Sequence, residues 1–231
     1  MNEENSKFYE ENVGKFSFIC RKDTIDNIIF KEIFNRELYR KMKIGENDVV
    51  LDAGANIGLF VVKYASKCKK IVAYEPEPEN FKMLKANLKR NNINNVVVLR
   101  KCIVGNEDQE RILYVNTGKD TSSHTLTPVR GRAKINVSCE NINNIIETYG
   151  INKIKMDVEG AEFEILMGIT NENYGEIDNI ALEFHFFSFK KKKLEIYWEL
   201  VNRLKENFWK VEYKKNVNER STMCMIYCRK V

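Results

Sequence analysis

Val49-Val50-Leu51-Asp52-Ala53-Gly54-Ala55-Asn56-Ile57-Gly58-Leu59-Phe60 is the stretch whose reading decides the fold. A short apolar run ends in an acid, passes two glycines and resumes as an apolar run able to start a helix. That pattern reads as a strand, a tight turn and a helix N-terminus. Glycine permits the sharp turn and lets a ligand approach the backbone with no Cβ in the way. The helix start adds unpaired N–H groups and partial positive charge, so the turn is expected to welcome an anionic group.

The dinucleotide fingerprint would need glycines at 54, 56 and 59, but Asn56 and Leu59 hold two of those places. The residues fit better the x-D-x-G-x-x-x-G loop of enzymes that use S-adenosylmethionine (SAM), where a methionine tail rests on the turn. A second marker follows where Ile71-Val72-Ala73-Tyr74 runs into Glu75-Pro76. A carboxylate ending the second strand is placed to accept both ribose hydroxyls. The plainer alternative is an exposed acid at a strand end.

Working outward, a helix is expected from about Leu59 to Cys68. Pro78 suits the first position of the next helix, where Phe81, Leu84 and Leu88 recur at helical spacing up to Asn91-Asn92. Val96-Val97-Val98-Leu99 reads as a fully buried third strand. The layout β-α-β-α-β predicts an α/β, doubly wound, mostly parallel sheet with right-handed crossovers. Upstream, Phe16 to Cys20 fits a short strand, and a helix from Thr24 or Asp26 buries Ile25, Ile29, Ile33 and Leu38. Residues 1–44 are therefore expected as an N-terminal helical segment and 45–231 as the core, within one domain.

Past the third strand the alternation breaks. Arg111 to Asn116 and Lys134 to Ser138 read as strands of an inserted hairpin, about 110–138. They flank a polar loop, Thr117 to Arg132, containing His124, Pro128, Arg130 and Gly131. It reads equally as a lid, an acceptor pocket or a solvated connection. Asn141 to Tyr149 is a helix closed by Gly150. Lys153-Ile154-Lys155-Met156-Asp157 is the fourth core strand, putting Asp157 at the carboxyl edge where open sheets bind ligands. Asn179 to Phe187 is the fifth, with Glu183 and His185 on one face. Lys190 to Lys193 reads as a solvated face before a helix from about Lys191 to Asn207. Trp209 to Lys214 and Thr222 to Arg229 form a last hairpin, one strand entering the sheet antiparallel.

The chain of 231 residues is long enough to bury a substantial core in one domain. No apolar run approaches the roughly 20 residues that span a bilayer. The polar start, Met1 to Glu11, resembles neither a signal nor a transit peptide, so a cytoplasmic location is expected. The six cysteines are scattered. Cys224 and Cys228 would stand roughly 13 Å apart on one strand at ~3.3 Å per residue, too far for a disulfide, so reduced, buried thiols are expected. A formal charge of +5 permits an anionic partner without the concentrated basic stripe of nucleic-acid binders.

Three segments together resemble the FkbM family of SAM-dependent methyltransferases. They are Leu51-Asp52-Ala53-Gly54-Ala55-Asn56-Ile57-Gly58, Tyr74-Glu75-Pro76-Glu77-Pro78-Glu79, and Ile154-Lys155-Met156-Asp157-Val158-Glu159-Gly160-Ala161-Glu162. The D-x-E-G-A-E block is the most specific of these. The resemblance implies the seven-stranded, Rossmann-like class I sheet with an antiparallel C-terminal hairpin. It implies SAM as cofactor, with Asp52, Gly54, Asn56 and Gly58 on the methionine portion and Ala55 beside them. Glu75, flanked by Pro76, would hold the ribose, and Lys101, Cys102 and Ile103 would lie against adenine. It also implies O-methylation of hydroxyls on sugars, lipids or small metabolites. Cys102 departs from the small residue usual there, and the 117–132 loop has no counterpart in the pattern.

Methyl transfer displaces an already activated leaving group, so positioning and desolvation do most of the work. A hydroxyl nucleophile must still shed a proton. Asp157 is the first candidate for base or orienter, His185 the alternative base, and Glu159 a neighbour in the same motif. The plainer alternatives are that Asp157 caps the next helix and that Glu159 and Glu162 favour its first turn electrostatically. Asp157, Glu159, Glu183 and His185 could take a divalent cation, but the set is scattered and no metal is assigned. The expected partner is a small-molecule or glycan-like acceptor. An RNA methyltransferase is the rival, favoured by Arg130, Arg132 and Lys134 but not by the D-V-E-G strand end, and a non-catalytic SAM-binding regulator is the third. Sequence leaves the oligomeric state open.

Overall fold

The computed structural model describes residues 7–186, 192–218 and 221–230. The first elements are strands β1 (Phe8–Val13) and β2 (Phe16–Arg21), an antiparallel hairpin, followed by helix α1 (Asp26–Phe34). The 1–44 segment expected to be helical thus begins with strands. β1 alternates half-buried and exposed residues on the surface, which hides it among polar side chains. The quoted stretch forms β3 (Val49–Ala53) and α2 (Leu59–Tyr64). β4 (Lys70–Tyr74), α3 (Pro78–Arg90) and β5 (Val96–Leu99) follow. Pro78 sits in the first turn of α3, and the Glu77 side chain caps it by accepting from Asn80 N at 2.6 Å.

β6 (Cys102–Val104), β7 (Glu110–Val115) and β8 (Ala133–Asn141) come next, then α4 (Ile142–Tyr149), capped by Asn141 and closed by left-handed Gly150. β9 (Lys153–Met156), α5 (Glu162–Met167), α6 (Asn171–Glu176) and β10 (Asn179–His185) lead to α7 (Lys193–Asn207). β11 (Lys210–Glu212) and β12 (Met223–Arg229) end the chain. Phe187, Lys190 and Lys191 lie outside the described residues, as does part of the 216–221 turn.

The seven-stranded sheet has the order β11-β12-β10-β9-β3-β4-β5. β10, β9, β3, β4 and β5 are parallel, and β12 is antiparallel to both of its neighbours. Alternating residues divide between the two faces. Leu51, Ala53, Val72 and Tyr74 pack with α4, α5 and α7, whereas Val50, Ile71 and Ala73 pack with β2, α1, α2 and α3. β5, expected to be fully buried, is half-buried throughout because it is the edge strand. β6, β8 and β7 make a separate small sheet with its own core of Cys102, Val104, Leu113, Val137 and Cys139. All six cysteines are buried and unbridged. Among the described residues no helix is long and apolar enough to cross a membrane.

Candidate active site

The strand order makes β3 and β9 neighbours although the chain travels out to β5 between them. Such a switch point leaves a crevice outside the carboxyl ends of the two strands. The loops that follow them touch there. Gly54 has φ +80°, and a Cβ on it would stand 1.8 Å from the Asp157 carbonyl oxygen. Gly58 (φ +88°) is also tightly placed, but its missing Cβ makes room for Leu84, so it packs α2 on α3 and lines neither cavity described below. Gly54 N and Ala55 N donate to Tyr74 O at 3.0 and 2.9 Å, and Asn56 N donates to Glu75 Oε2 at 2.7 Å. These bonds correct the expectation of a free anion-binding turn. The N–H groups fasten the turn to the end of β4, and α2 is only six residues long.

One cavity, of about 60 Å³, lies between the turn and the small sheet, bordered by Gly54, Asn56, Glu75, Pro76, Lys101, Cys102 and Ile103. That volume holds little more than water, so a nucleoside needs its lining side chains to move. Glu75 is 4% exposed, and its Oε1 accepts from Glu77 N at 3.0 Å. Burial pushes its carboxyl up to about 7, with the two N–H donors working against the rise. Cys102 Sγ faces Cys139 Sγ at 2.9 Å across the β6–β8 pair.

Asp52 is wholly buried behind the turn and lines neither cavity. Lys155 Nζ sits 3.0 Å from Asp52 Oδ1 and donates to Gly54 O at 2.6 Å. Among the described residues, neither Asp52 oxygen has a hydrogen-bond partner apart from that ion pair, and buried Asn56 Oδ1 has none. Burial pushes the Asp52 carboxyl up to about 6 despite Lys155. The Lys155 pKa is raised, because Asp52 and Asp157 outweigh its own burial. Lys155, which ties Asp52 to the turn and lines the larger of the two cavities, is a site residue that the sequence pattern passed over. Its signal was a pair of lysines, Lys153 and Lys155, alternating along an otherwise apolar core strand.

A second cavity, of about 630 Å³, opens on the other side. Gly54, Asn56, Ser122, Asp157 and Glu159 border both spaces. Its outer wall is apolar, with Ile25, Ile28, Ile29, Leu38, Val129 and Met223, while Asp157, Glu159, Glu183 and His185 furnish an acidic inner wall. The 117–132 loop packs over this cleft. Thr125 Oγ1 donates to Glu159 O at 2.6 Å, Thr121 Oγ1 donates to Asp26 Oδ1 at 3.1 Å, and Asn80 Nδ2 donates to Thr121 O at 3.2 Å. His124 lines the smaller cavity and accepts from Asn116 N through Nδ1 at 3.1 Å.

The sequence-level candidates Asp157, Glu159 and His185 do converge. One ligand-type atom from each lies within 4.8 Å of the others. His185 is 5% exposed; its Nδ1 is 2.9 Å from Glu162 Oε1, and its Nε2 is 3.5 Å from Glu159 Oε2 and 3.8 Å from Glu183 Oε1. Glu162 is fully buried and accepts from the Gly160 and Val158 N–H groups. Its part in holding the imidazole needed the tertiary structure to emerge. Asp157 is not a helix cap, since α5 begins at Glu162 behind Ala161. Burial disfavours the imidazolium, but Glu162, Glu159 and Asp157 outweigh it and raise the His185 pKa. Burial likewise raises the Glu159 and Glu183 carboxyls, with Asp157 adding to both and His185 opposing.

The family described as the Methyltransferase FkbM domain matches residues 52–214. Methyltransferase sdnD of Sordaria araneosa is 29% identical over 192 residues, covering 67% of this chain and 73% of that one. The 31-O-demethyl-FK506 methyltransferase FkbM of Streptomyces tacrolimicus is 25% identical over 194 residues, covering 68% and 74%. Among solved structures, methyltransferase FkbM from Methylobacillus flagellatus KT shares the fold with a TM-score of 0.53 at 15% identity, over 86% of this chain and 47% of that one. The matched segment takes in the turn at Gly54, Glu75, the Asp157–Glu162 block and the last helix, and the chain belongs to the FkbM family of methyltransferases.

Proposed function

We propose that this methyltransferase uses SAM and methylates a hydroxyl on a small or glycan-like acceptor bearing an apolar portion. One observation carries the reading: Asp157 and Glu159 stand on the border between the Glu75 pocket and the larger cavity. A donor beside Glu75 and an acceptor in the larger cavity would meet there. The fit to SAM rests on a buried carboxylate at the second strand end and on Asn56 Oδ1, a polar atom without a partner among the described residues. When bound, SAM supplies a methyl group on an activated sulfonium. Glu75 would accept ribose hydroxyls, and Lys101, Cys102 and Ile103 would flank the base once the lining side chains move to admit it. Asp52 fixes the turn from behind rather than touching the ligand, and Lys155, which holds Asp52 and Gly54 O, also lines the larger cavity.

Asp157, with Glu159 beside it, is the group that orients the acceptor hydroxyl and takes its proton. His185 serves positioning better than base catalysis, because its surrounding carboxylates favour the charged imidazolium. The apolar wall of Ile25, Ile28, Ile29, Val129 and Met223 suits a hydrocarbon portion of the acceptor. Five acids, Glu32, Asp120, Asp157, Glu159 and Glu183, outnumber the two cations Arg132 and Lys155 on the same cavity and oppose a phosphate backbone, which weighs against RNA. Two relatives carry names that point to small or sugar acceptors, 31-O-demethyl-FK506 for one and hexuronic acid for another, from Haloferax volcanii, while a third, 33% identical over 85 residues, is named for ribosomal RNA.

The test is calorimetric titration with SAM followed by transfer of radiolabelled methyl to fractionated cell extract. Label should enter a small-molecule or glycan fraction, and Asp157→Asn should abolish transfer while SAM still binds. Label in RNA, with steeply salt-dependent binding, would overturn the acceptor assignment. Tight SAM binding with no turnover on any fraction would favour a regulatory role.

A further inference from the structure

We propose that Asp157, Glu159 and His185 bind one divalent cation, Mg²⁺ or Mn²⁺, on the acidic wall of the larger cavity. The three side chains come from separate places: the end of β9, the turn after it and the end of β10. One oxygen or nitrogen from each lies within 4.8 Å of the other two. Adjacent ligand atoms ~2.1 Å from an octahedral Mg²⁺ stand about 3 Å apart, so the partly buried Asp157 and Glu159 side chains must draw in on His185 by up to about 2 Å to close the set.

A second observation separates this cluster from an ordinary group of surface acids. His185 is held through Nδ1 by Glu162 at 2.9 Å, which orients Nε2 toward Glu159 and Glu183. Glu162 is itself immobilised, fully buried and accepting backbone N–H groups from Gly160 and Val158. A carboxylate that fixes the far nitrogen of an imidazole is the outer support that metal-ligating histidines need. Charge points the same way. Asp157, Glu159 and Glu183 converge on one imidazole, while the nearby Lys155 is already engaged with Asp52 and Gly54 O. Partly buried carboxylates crowded around one imidazole are costly to keep ionised together unless a cation offsets their charge.

Carboxylate oxygens with one imidazole, whose Nε2 gives up its proton to solvent as the cation binds, suit Mn²⁺ and Mg²⁺ better than the soft metals. Three protein ligands leave positions of an octahedron open toward the cavity, where an acceptor oxygen can bind and lose its proton more readily. That last role rests on the methyl-transfer reading; cation binding does not.

The experiment uses the full chain, stripped with a chelator and titrated with Mn²⁺ in the absence of SAM, followed by calorimetry and electron paramagnetic resonance. One saturable Mn²⁺ per chain is expected, with a nitrogen modulation from imidazole in the spin-echo spectrum. Glu159→Gln and Asp157→Asn should each weaken Mn²⁺ binding at least tenfold, and His185→Gln should remove the nitrogen signal. Glu164→Gln, an acid paired with Arg111 away from the cluster, should leave binding unchanged. Failure to saturate at millimolar Mn²⁺ with the chain folded overturns the proposal, as does equal affinity in Glu159→Gln, Asp157→Asn and wild type. Methyl transfer by a chain that fails to bind Mn²⁺ would sink this inference alone, whereas a bound cation without methyl transfer would sink only the functional reading.

Discussion

Asn56 donates its backbone N–H to Glu75 Oε2 at 2.7 Å, joining the glycine turn to the end of the second core strand. The two groups assigned to the methionine and ribose portions are therefore one hydrogen-bonded unit. Replacing Glu75 by alanine removes a ribose acceptor and the anchor of the turn together. SAM binding should weaken by about 1–3 kcal/mol in calorimetric titration. Unchanged affinity would refute the ribose role of Glu75.

Glu75 also makes affinity depend on pH. Burial raises its carboxyl from the ordinary value to about 7, so in the free protein it is largely protonated below that point and charged above it. The charged form is the one able to accept two hydroxyls. SAM should bind up to about tenfold more weakly at pH 6 than at pH 8 in the wild type, with a flatter profile in Glu75→Gln. Stability follows the opposite course. A folded-state pKa above the unfolded one contributes stability that is complete below about 4.5 and lost as pH climbs through 7. Asp52, raised to about 6, acts in the same sense. The ligand-free protein should melt at a higher temperature near pH 5.5 than near pH 8, and thermal scans free of SAM decide this.

Gly54→Ala should be among the most damaging single changes in the chain. Its Cβ would lie 1.8 Å from the Asp157 carbonyl oxygen, with φ +80° adding backbone strain. We expect a loss of about 3 kcal/mol or more in urea unfolding. Gly45→Ala, whose Cβ would sit 3.7 Å from Asp48 Oδ2, should lose under about 1 kcal/mol. Similar losses at both positions would mean that the β3 and β9 loops do not touch as described.

Lys155 and Asp52 form a buried pair whose members should not act independently. Lys155→Met leaves the Asp52 carboxylate without a cation and should destabilise by about 3–5 kcal/mol. Adding Asp52→Asn should restore a large part of that loss, giving a coupling that a double-mutant cycle measures directly. Simple additivity of the two single effects would rule the coupling out.

The parts of this architecture legible in sequence are those carried by local pattern. Asp52 to Gly58 announces a strand, turn and helix through apolar runs and glycines, and Glu75 is marked by the prolines behind it. Asp157 and Glu159 were legible as a strand-end motif, and His185 as a polar residue ending an apolar strand. What pattern could not convey is pairing across the fold. β1 is a surface strand containing Glu10 and Glu11, stabilised by its register with β2 rather than by a buried face. β5 reads as core because it is all apolar, yet it has only one neighbour in the sheet. Gly58 resembles a ligand contact in the motif, but its space is filled by Leu84 from a helix further along the chain. Glu162 reads as a helix-dipole acid, and only the approach of β10 gives it His185 to hold.

A crystal structure with S-adenosylhomocysteine bound tests the central claim most directly. The account predicts ribose hydroxyls within hydrogen-bonding distance of Glu75 and a sulfur directed at the border formed by Asp157 and Glu159. Ligand bound elsewhere, or ribose turned away from Glu75, would contradict it.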